Sequence, residues 1–580
     1  MAHGTQRAAI LNPDIDSFIE DIISSWNSPG GVGVAVVKQH EDGSWQVETK
    51  GYGIGNVAEQ KKLDVDSLFY IGSNSKSRTD VILQAFTTIA SGLLVSDKSI
   101  SPRITWDTKI ADILPENVWK LQDPIAYAET TITDVMSHRT GLPSHESSYS
   151  RSDTTESVLK RTRHLKPSTG FRSNWQYNNI LYVMLGYLPT AILPQKPTLA
   201  EYVKERIFDP LGLTSATYSL ATAKQSGKLA DPTAREGINK TEDPFGKGIT
   251  RVLRYATWFQ EDGGYISGAG GAIMSVKDAA TWLQVLLLEG KHPQTGEQVI
   301  PQEVVRKVSS AISVVSPEPL YPETSNVVYG GGLTRSSYRG HDIIGHGGGL
   351  PGHKSSIVRL PNDKVGVAIF SNDDNYGASF VEIIKWRIID KVLGLEPIDW
   401  DSRTRAYFKA RYQNPNSNEK PRSSSPAPPP VPFEQLAGLY HHPGYGDLEL
   451  CYISGPPSDS ESEASRKLRE EQPLILPDAI KKDVPTLLAR WDRFWYSHIK
   501  LEHVDGAVFS FQALDSQPTN DASKPYWTYR VEVNSVAEFA VQDGKVGFGM
   551  MDGFWGAGPG VESPVGDSVL ERAEVWFEKI

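Results

Sequence analysis

Apolar side chains recur at helical spacing near the start of the chain. Ile15, Phe18, Ile19, Ile22, Ile23 and Trp26 share one face of a helix over 14–26, which Pro29-Gly30-Gly31 ends. The run 32–37 is continuously apolar and reads as a buried strand, with 45–52 as its hairpin partner across Asp42-Gly43. Residues 67–72 are apolar and extended, and the chain turns at Gly72. Over 79–94 the apolar spacing is that of a buried helix. Helical patterns and long loops fill most of 74–290. Strands return at 330–335, 341–345, 354–360 and 365–371, and 378–393 reads as a closing helix. The order of these elements suits an α/β sandwich, with a sheet built from both ends of this region and helices between.

A second pattern follows a break. Residues 412–432 are rich in Pro, Ser and Asn and carry too few apolar side chains for a core, so they read as a linker. Residues 433–580 hold short β-like runs at 448–453, 494–502, 507–512, 526–533, 538–541, 546–550 and 574–579, separated by turns such as Asp505-Gly506 and Asp543-Gly544. This predicts a small all-β barrel or sandwich. The Ser/Glu-rich stretch 454–472 reads as a flexible loop, and His441-His442 as a turn. The expected division is therefore a catalytic domain over 1–411, the linker, and an accessory domain over 433–580 that shapes substrate access. Trp495, Phe554 and Trp555 either line that access route or fill the barrel core.

Composition narrows the function classes. The 580 residues are 39% hydrophobic and 22% charged, as in ordinary globular chains, and the net charge of −11 argues against a nucleic-acid partner. Cys451 is the single cysteine, which excludes an internal disulfide. The first residues show no apolar leader with a cleavage site, and no run is long and apolar enough to span a membrane. A cytoplasmic location without membrane attachment is the expectation. His138, His145, His341 and His353 lack metal-ligand spacing, so neither a metal nor another cofactor is expected.

The candidate chemistry lies in three separated pieces: Ser73-Asn74-Ser75-Lys76, Tyr177-Asn178-Asn179 and His346-Gly347-Gly348. A serine three residues before a lysine on a helix shares its face, one turn away. A serine hydroxyl is a poor nucleophile until a neighbouring base takes its proton, and a partly buried lysine can share that task. Ser73 falls at a helix start, where free backbone N–H groups favour negative charge.

In this order the pieces resemble the serine β-lactamase and penicillin-binding-protein superfamily. The likeness is to the branch of class C β-lactamases, D-alanyl-D-alanine carboxypeptidases and β-lactamase-like esterases, peptidases and acyltransferases. Residues 136–143 (MSHRTGLP), 207–213 (IFDPLGL) and 268–271 (GAGG) are similar to further stretches of that family, and the likeness covers about 12–395. It implies a β-lactamase/transpeptidase-like antiparallel sheet flanked by helices. The C-terminal part resembles the lipocalin-like domains of some members. Ser73 would be the nucleophile. Lys76 and Tyr177 would activate it, with the question of which takes the proton left open, and Asn179 would orient Lys76 and the substrate. The N–H groups of Ser73 and Gly349 would form the oxyanion hole, and Gly347, Gly348 and Gly349 permit close approach of the substrate. His346 stands where lactamases place a carboxylate-binding lysine. An imidazole is shorter and mostly neutral at pH 7, which shifts the expectation toward esters or small amides. The leading reading is a serine hydrolase acting on an ester or amide of a small molecule or short peptide. The rivals are an acyltransferase on the same scaffold and a non-catalytic binding protein that kept the fold.

Overall fold

The computed structural model describes residues 7–72, 84–255, 264–413, 422–458 and 461–580. The chain falls into two compact units. One comprises Met1–Ile113, Thr131–Ser137 and Leu181–Gln413; the other comprises Leu114–Thr130, His138–Ile180 and Asn414–Ile580.

The first unit is built on a nine-stranded antiparallel sheet. Its strands are β1 (Gly31–Gln39), β2 (Trp45–Asn56), β3 (Lys61–Lys62), β4 (Ser313–Ser316), β5 (Val327–Tyr329), β6 (Thr334–Tyr338), β7 (His341–Leu350), β8 (His353–Leu360) and β9 (Val365–Ser371). They lie in the order β3-β2-β1-β9-β8-β7-β6-β5-β4, so β1 from one end of the unit pairs with β9 from the other. The apolar run in β1 follows from burial on both faces. Val32, Val34 and Val36 join a core with Ile15, Ile19 and Ile22 of α1 (Pro13–Ser25). Helix α1 starts where the Asn12 side chain accepts the Ile15 N–H at 3.1 Å, with Pro13 preset for the first turn. Burying each such aliphatic side chain is worth about 1.5–3 kcal/mol. Helix α2 (Gln84–Ser96) is buried along nearly its whole length, and α3 (Asn179–Ile192) follows the tyrosine motif. Gly33 points to the sheet face opposite the valines. A Cβ there would lie 2.9 Å from Val276 at the start of α4 (Val276–Leu287), so the missing side chain lets that helix lie close to the sheet. Helix α5 (Gly377–Leu393) closes the sheet on the α1 side, and α6 (Trp400–Gln413) follows it.

Two strand expectations need correction. The strand placed at 330–335 runs from Thr334 to Tyr338 instead, and Gly330–Gly332 precede it as a loop. Gly332 has φ +75°, and a Cβ on it would stand 2.4 Å from the Gln84 carbonyl carbon. Glycine therefore lets the loop rest on the start of α2. Strand β7 does not stop at Gly345, because its ladder to β8 continues through Gly347↔Ser356 to Leu350↔His353. The glycines that hid the strand cost intrinsic strand preference, but the ladder holds them.

The barrel of the second unit is closed by eight strands in sequential order: β10 (Gly438–His442), β11 (Gly446–Tyr452), β12 (Thr486–Arg490), β13 (His498–Asp505), β14 (Val508–Pro518), β15 (Tyr526–Gln542), β16 (Lys545–Met551) and β17 (Val575–Lys579). Closure through β10 and β17 leaves no free edge. Rings fill the interior, with Phe548 and Phe577 stacked at 5.0 Å and Tyr445 and Phe554 at 5.8 Å. The runs 526–533 and 538–541 are one strand, β15, whose partner β14 shifts register between Phe511 and Ala513. The stretch 454–472, expected as a flexible loop, carries most of helix α7 (Glu463–Ile475). The helix is capped by Ser462 accepting from Ser465 N–H at 3.0 Å and anchored by buried Leu468. His441 and His442 end strand β10 and the turn follows them. Tyr412 and Gln413 belong to α6, and Ala427 is tied to the 505–506 turn through its N–H to Asp505 at 2.7 Å.

Among the described residues, no helix is long and apolar enough to cross a membrane, and no group of three or more His, Cys, Asp or Glu could hold a metal ion.

Candidate active site

Ser73 and Lys76 lie outside the described residues. Their immediate frame in the first unit is described up to Gly72. Strand β7 runs against that backbone: a Cβ on Gly348 would lie 2.4 Å from the Gly72 carbonyl oxygen and 2.8 Å from that of Ile71. Only glycine permits this approach. The ladder from β7 to β6 ends at the Thr334↔Gly345 pair. Among the described residues, His346, Gly347, Gly348 and Gly349 have a strand neighbour on one side only, β8. The chain that leads to Ser73 lies over the face of this glycine segment, where Gly348 has no side chain.

His346 is buried, and its ring is engaged on both nitrogens. Nδ1 stands 2.8 Å from the Gly347 carbonyl oxygen; a carbonyl only accepts, so Nδ1 carries a proton. Nε2 stands 3.4 Å from the Tyr329 hydroxyl, which also bonds the Gln84 amide oxygen on α2. Gln84, Tyr329 and His346 thus link α2, β5 and β7. Sequence reading missed Gln84 and Tyr329, since neither falls in a motif. Beneath the strand leading to Gly72, His353 accepts the Tyr70 N–H on Nδ1 at 3.3 Å, and burial pushes this histidine down to about 3.

The second unit carries Tyr177 and Asn179. The stretch 136–143 explains how they are held. His138 adopts φ +56°, its carbonyl accepts the Gln176 N–H at 2.7 Å, and its Nδ1 accepts the Asn178 N–H at 3.2 Å. Tyr177 is therefore gripped between two bonds to one histidine, with the rings 4.7 Å apart. Burial pushes His138 down to about 3, so it stays neutral and gives Tyr177 no positive charge. Any cation that activates the phenol comes from elsewhere. The Tyr177 hydroxyl donates to Asn179 Oδ1 at 3.0 Å. Asn179 Nδ2 donates to Glu146 Oε1 at 2.9 Å, and Glu146 Oε2 accepts from Tyr149 and from Trp495 Nε1, each at 2.5 Å.

The barrel holds the segment that carries Glu146. The Trp555 carbonyl accepts the His145 N–H at 2.8 Å, Tyr496 donates to Ser147 Oγ at 2.6 Å, and Phe494 N–H donates to the Tyr149 carbonyl at 3.2 Å. His145, at φ +45°, bonds the Tyr445 hydroxyl through Nδ1 at 2.6 Å and the Lys166 carbonyl through Nε2 at 2.9 Å. Gly558 N–H reaches Gln176 Oε1 at 2.7 Å. Trp495, Phe554 and Trp555 are 7%, 5% and 3% exposed, but they do not all fill the barrel core: Phe554 stacks on Tyr445, whereas Trp495 bonds Glu146 and the Trp555 ring lies against His145 and Lys166. Glu146 and Tyr496 were not legible, because no period or motif marks a carboxylate in a loop.

A family model described as Beta-lactamase matches residues 26–388. The unguisins hydrolase of Aspergillus violaceofuscus is 29% identical over 468 residues, which cover 76% of each chain. Among solved structures, the octameric penicillin-binding protein homologue from Pyrococcus abyssi aligns with a TM-score of 0.52 at 18% identity, over 92% of this chain and 97% of that one. The D-amino acid amidase from Ochrobactrum anthropi SV3 aligns at 0.50 and 20% identity, over 68% of this chain and all of that one. Both structures share the fold. The family model spans more than half of the sequence and takes in all three motifs, and on that ground the chain belongs to the beta-lactamase family of serine hydrolases.

Proposed function

We propose that this protein hydrolyses an ester or amide of a small molecule or short peptide through an acyl-enzyme on Ser73. The observation that carries the reading is the packing of Gly348 on the carbonyl oxygens of Ile71 and Gly72. It supports the reading because the His346-Gly347-Gly348 segment packs, through the bare face of Gly348, on the chain entering the residue read as the nucleophile. Ser73 Oγ would attack the carbonyl carbon, with its proton passing to Lys76 or Tyr177. The N–H groups of Ser73 and Gly349 would hold the oxyanion, which is often the largest electrostatic contribution to acyl transfer. Protonation of the leaving group breaks the ester or amide bond, and water then resolves the acyl-enzyme. Serine, lysine, tyrosine and backbone N–H groups suffice for these steps, so no metal or cofactor is invoked.

His346 supports an uncharged substrate group at this position. Its Nδ1 proton is bound to Gly347 and its ring is buried, unlike a lysine reaching out to a carboxylate. The hydrolase named among the relatives supports hydrolysis as the reaction class. The test is turnover of chromogenic short-chain esters and anilides by the protein and by Ser73→Ala. The variant should lose about 10³-fold or more in kcat. Near-normal turnover by the variant would remove Ser73 from the mechanism.

A further inference from the structure

We propose that Glu146 is a positioning residue for Tyr177 and that Trp495 of the barrel holds it in place, so the barrel helps set the protonation of the site. The inference rests on the reading of Tyr177 as part of the acyl-transfer machinery. It begins with the amide of Asn179, whose two ends differ in what they offer a neighbour. A carboxylate oxygen only accepts, so the end of Asn179 facing Glu146 at 2.9 Å must be its NH₂ group. That leaves the amide oxygen aimed at the Tyr177 hydroxyl at 3.0 Å. An acceptor there favours the protonated phenol and opposes the phenolate. Turned the other way, the amide would donate to the phenolate and favour it. Glu146 fixes the first orientation.

Glu146 is itself held by donors from both parts of the second unit. Tyr149 and Trp495 each donate to Oε2 at 2.5 Å. The flanks are pinned by Tyr496 on Ser147 and by Phe494 on the Tyr149 carbonyl. Several titratable and charged groups of this unit lie around the relay: Arg151 donates to the Phe494 carbonyl and to Asp515, each at 3.3 Å, and Glu574, raised by burial, accepts the Trp555 N–H at 3.1 Å. His138 beside Tyr177 is kept neutral by burial, as is His145, which bonds the Tyr445 hydroxyl. Arg493 is engaged on the Tyr445 carbonyl at 2.6 Å. The negative charge nearest Asn179 in this unit is therefore that of Glu146, and it acts on Tyr177 in the same direction as the amide.

The experiment compares the pH dependence of kcat/KM for a chromogenic ester across the full-length protein, Glu146→Gln, Glu146→Asp, Trp495→Phe and Tyr177→Phe. Glu146→Gln removes the charge and frees the amide to turn. Both changes favour the phenolate, so the acidic limb should move to lower pH by about one unit, a tenfold change in the protonation ratio. Glu146→Asp keeps the charge and should keep the limb near its original pH, even at reduced kcat. Trp495→Phe keeps the ring and should move the limb the same way by less. This variant decides the matter if Glu146→Gln fails to fold. An inactive Tyr177→Phe together with unmoved limbs in the Glu146 and Trp495 variants would overturn the relay and leave the role of Tyr177 standing. A fully active Tyr177→Phe would overturn that role and the relay with it.

Discussion

A methyl group on Gly348 would meet two backbone carbonyl oxygens, at 2.4 Å from Gly72 and 2.8 Å from Ile71. Backbone held in a buried core cannot swing aside as a side chain can. Gly348→Ala should therefore displace the chain entering Ser73 and destabilise the fold by about 1–3 kcal/mol, the usual range for overpacking. Gly349 is the contrast. A Cβ there would meet Lys354 Cδ at 2.9 Å, on a flexible side chain. Gly349→Ala should be milder in urea denaturation, and equal losses for the two would contradict this account of the glycine segment. Tyr329 is a third residue with a defined expectation. Removing its hydroxyl takes one partner from buried Gln84 and one neighbour from His346, and Tyr329→Phe should cost about 1 kcal/mol of stability. A variant as stable as the parent would show that this bridge between α2, β5 and β7 is idle.

Elements were legible in the sequence where a single period dominated. Helix α1, the β1–β2 hairpin, β8, β9 and α5 emerge close to their expected bounds, because each buries one clear face or a continuous run. Glycine obscured β7, whose ladder to β8 supplies what side-chain preference does not. Composition misled at α7. Its Ser/Glu-rich start reads as loop, yet Ser462 caps it and Leu468 anchors it against the barrel. Ser462→Ala should cost about 1 kcal/mol as a lost cap, read by thermal or urea unfolding. A variant with no loss would mean that Leu468 and its neighbours alone fix the helix. In the candidate site, the three motifs stand out in the sequence because their chemistry is particular, while Ser73 and Lys76 lie outside the described residues. Glu146, Trp495, Gln84 and Tyr329 were not legible, since each matters only through a partner that folding brings from far along the chain.

At the scale of the molecule, the second unit joins His138–Ile180 to the barrel. The sequence division into 1–411, 412–432 and 433–580 remains a proposal about covalent organisation. The grouping observed adds that removing 433–580 would strip Glu146, Ser147 and the Tyr149 carbonyl of their barrel partners. A chain ending near Tyr412 should show rapid proteolysis within 138–180, and full protection of that segment would contradict this expectation. The same unit should be sensitive to acid. Burial pushes His138 and His145 down to about 3, and His442 and His498 down to about 4, from an ordinary value near 6.5. Below about pH 6.5 the unfolded chain takes up protons that the folded unit refuses. Stability is thus fully present above that pH and is lost as pH falls toward 3–4. Glu574, raised by burial, works in the opposite direction, but it stands against these four and against His164 and His503, which burial also lowers. The melting temperature should be nearly level between pH 7 and 8 and fall steadily from pH 6.5 to 4. A flat profile across that window would contradict the assignment of these histidines as buried and neutral.

The central claim is that this member of the beta-lactamase family works through a covalent acyl-enzyme on Ser73. Its most direct test is intact-mass analysis after a serine-directed phosphonate, followed by peptide mapping, on the full-length protein and on Ser73→Ala. The account expects one adduct per chain, mapped to the peptide containing Ser73 and absent from the variant. An adduct on another residue, or one that persists in Ser73→Ala, would contradict it.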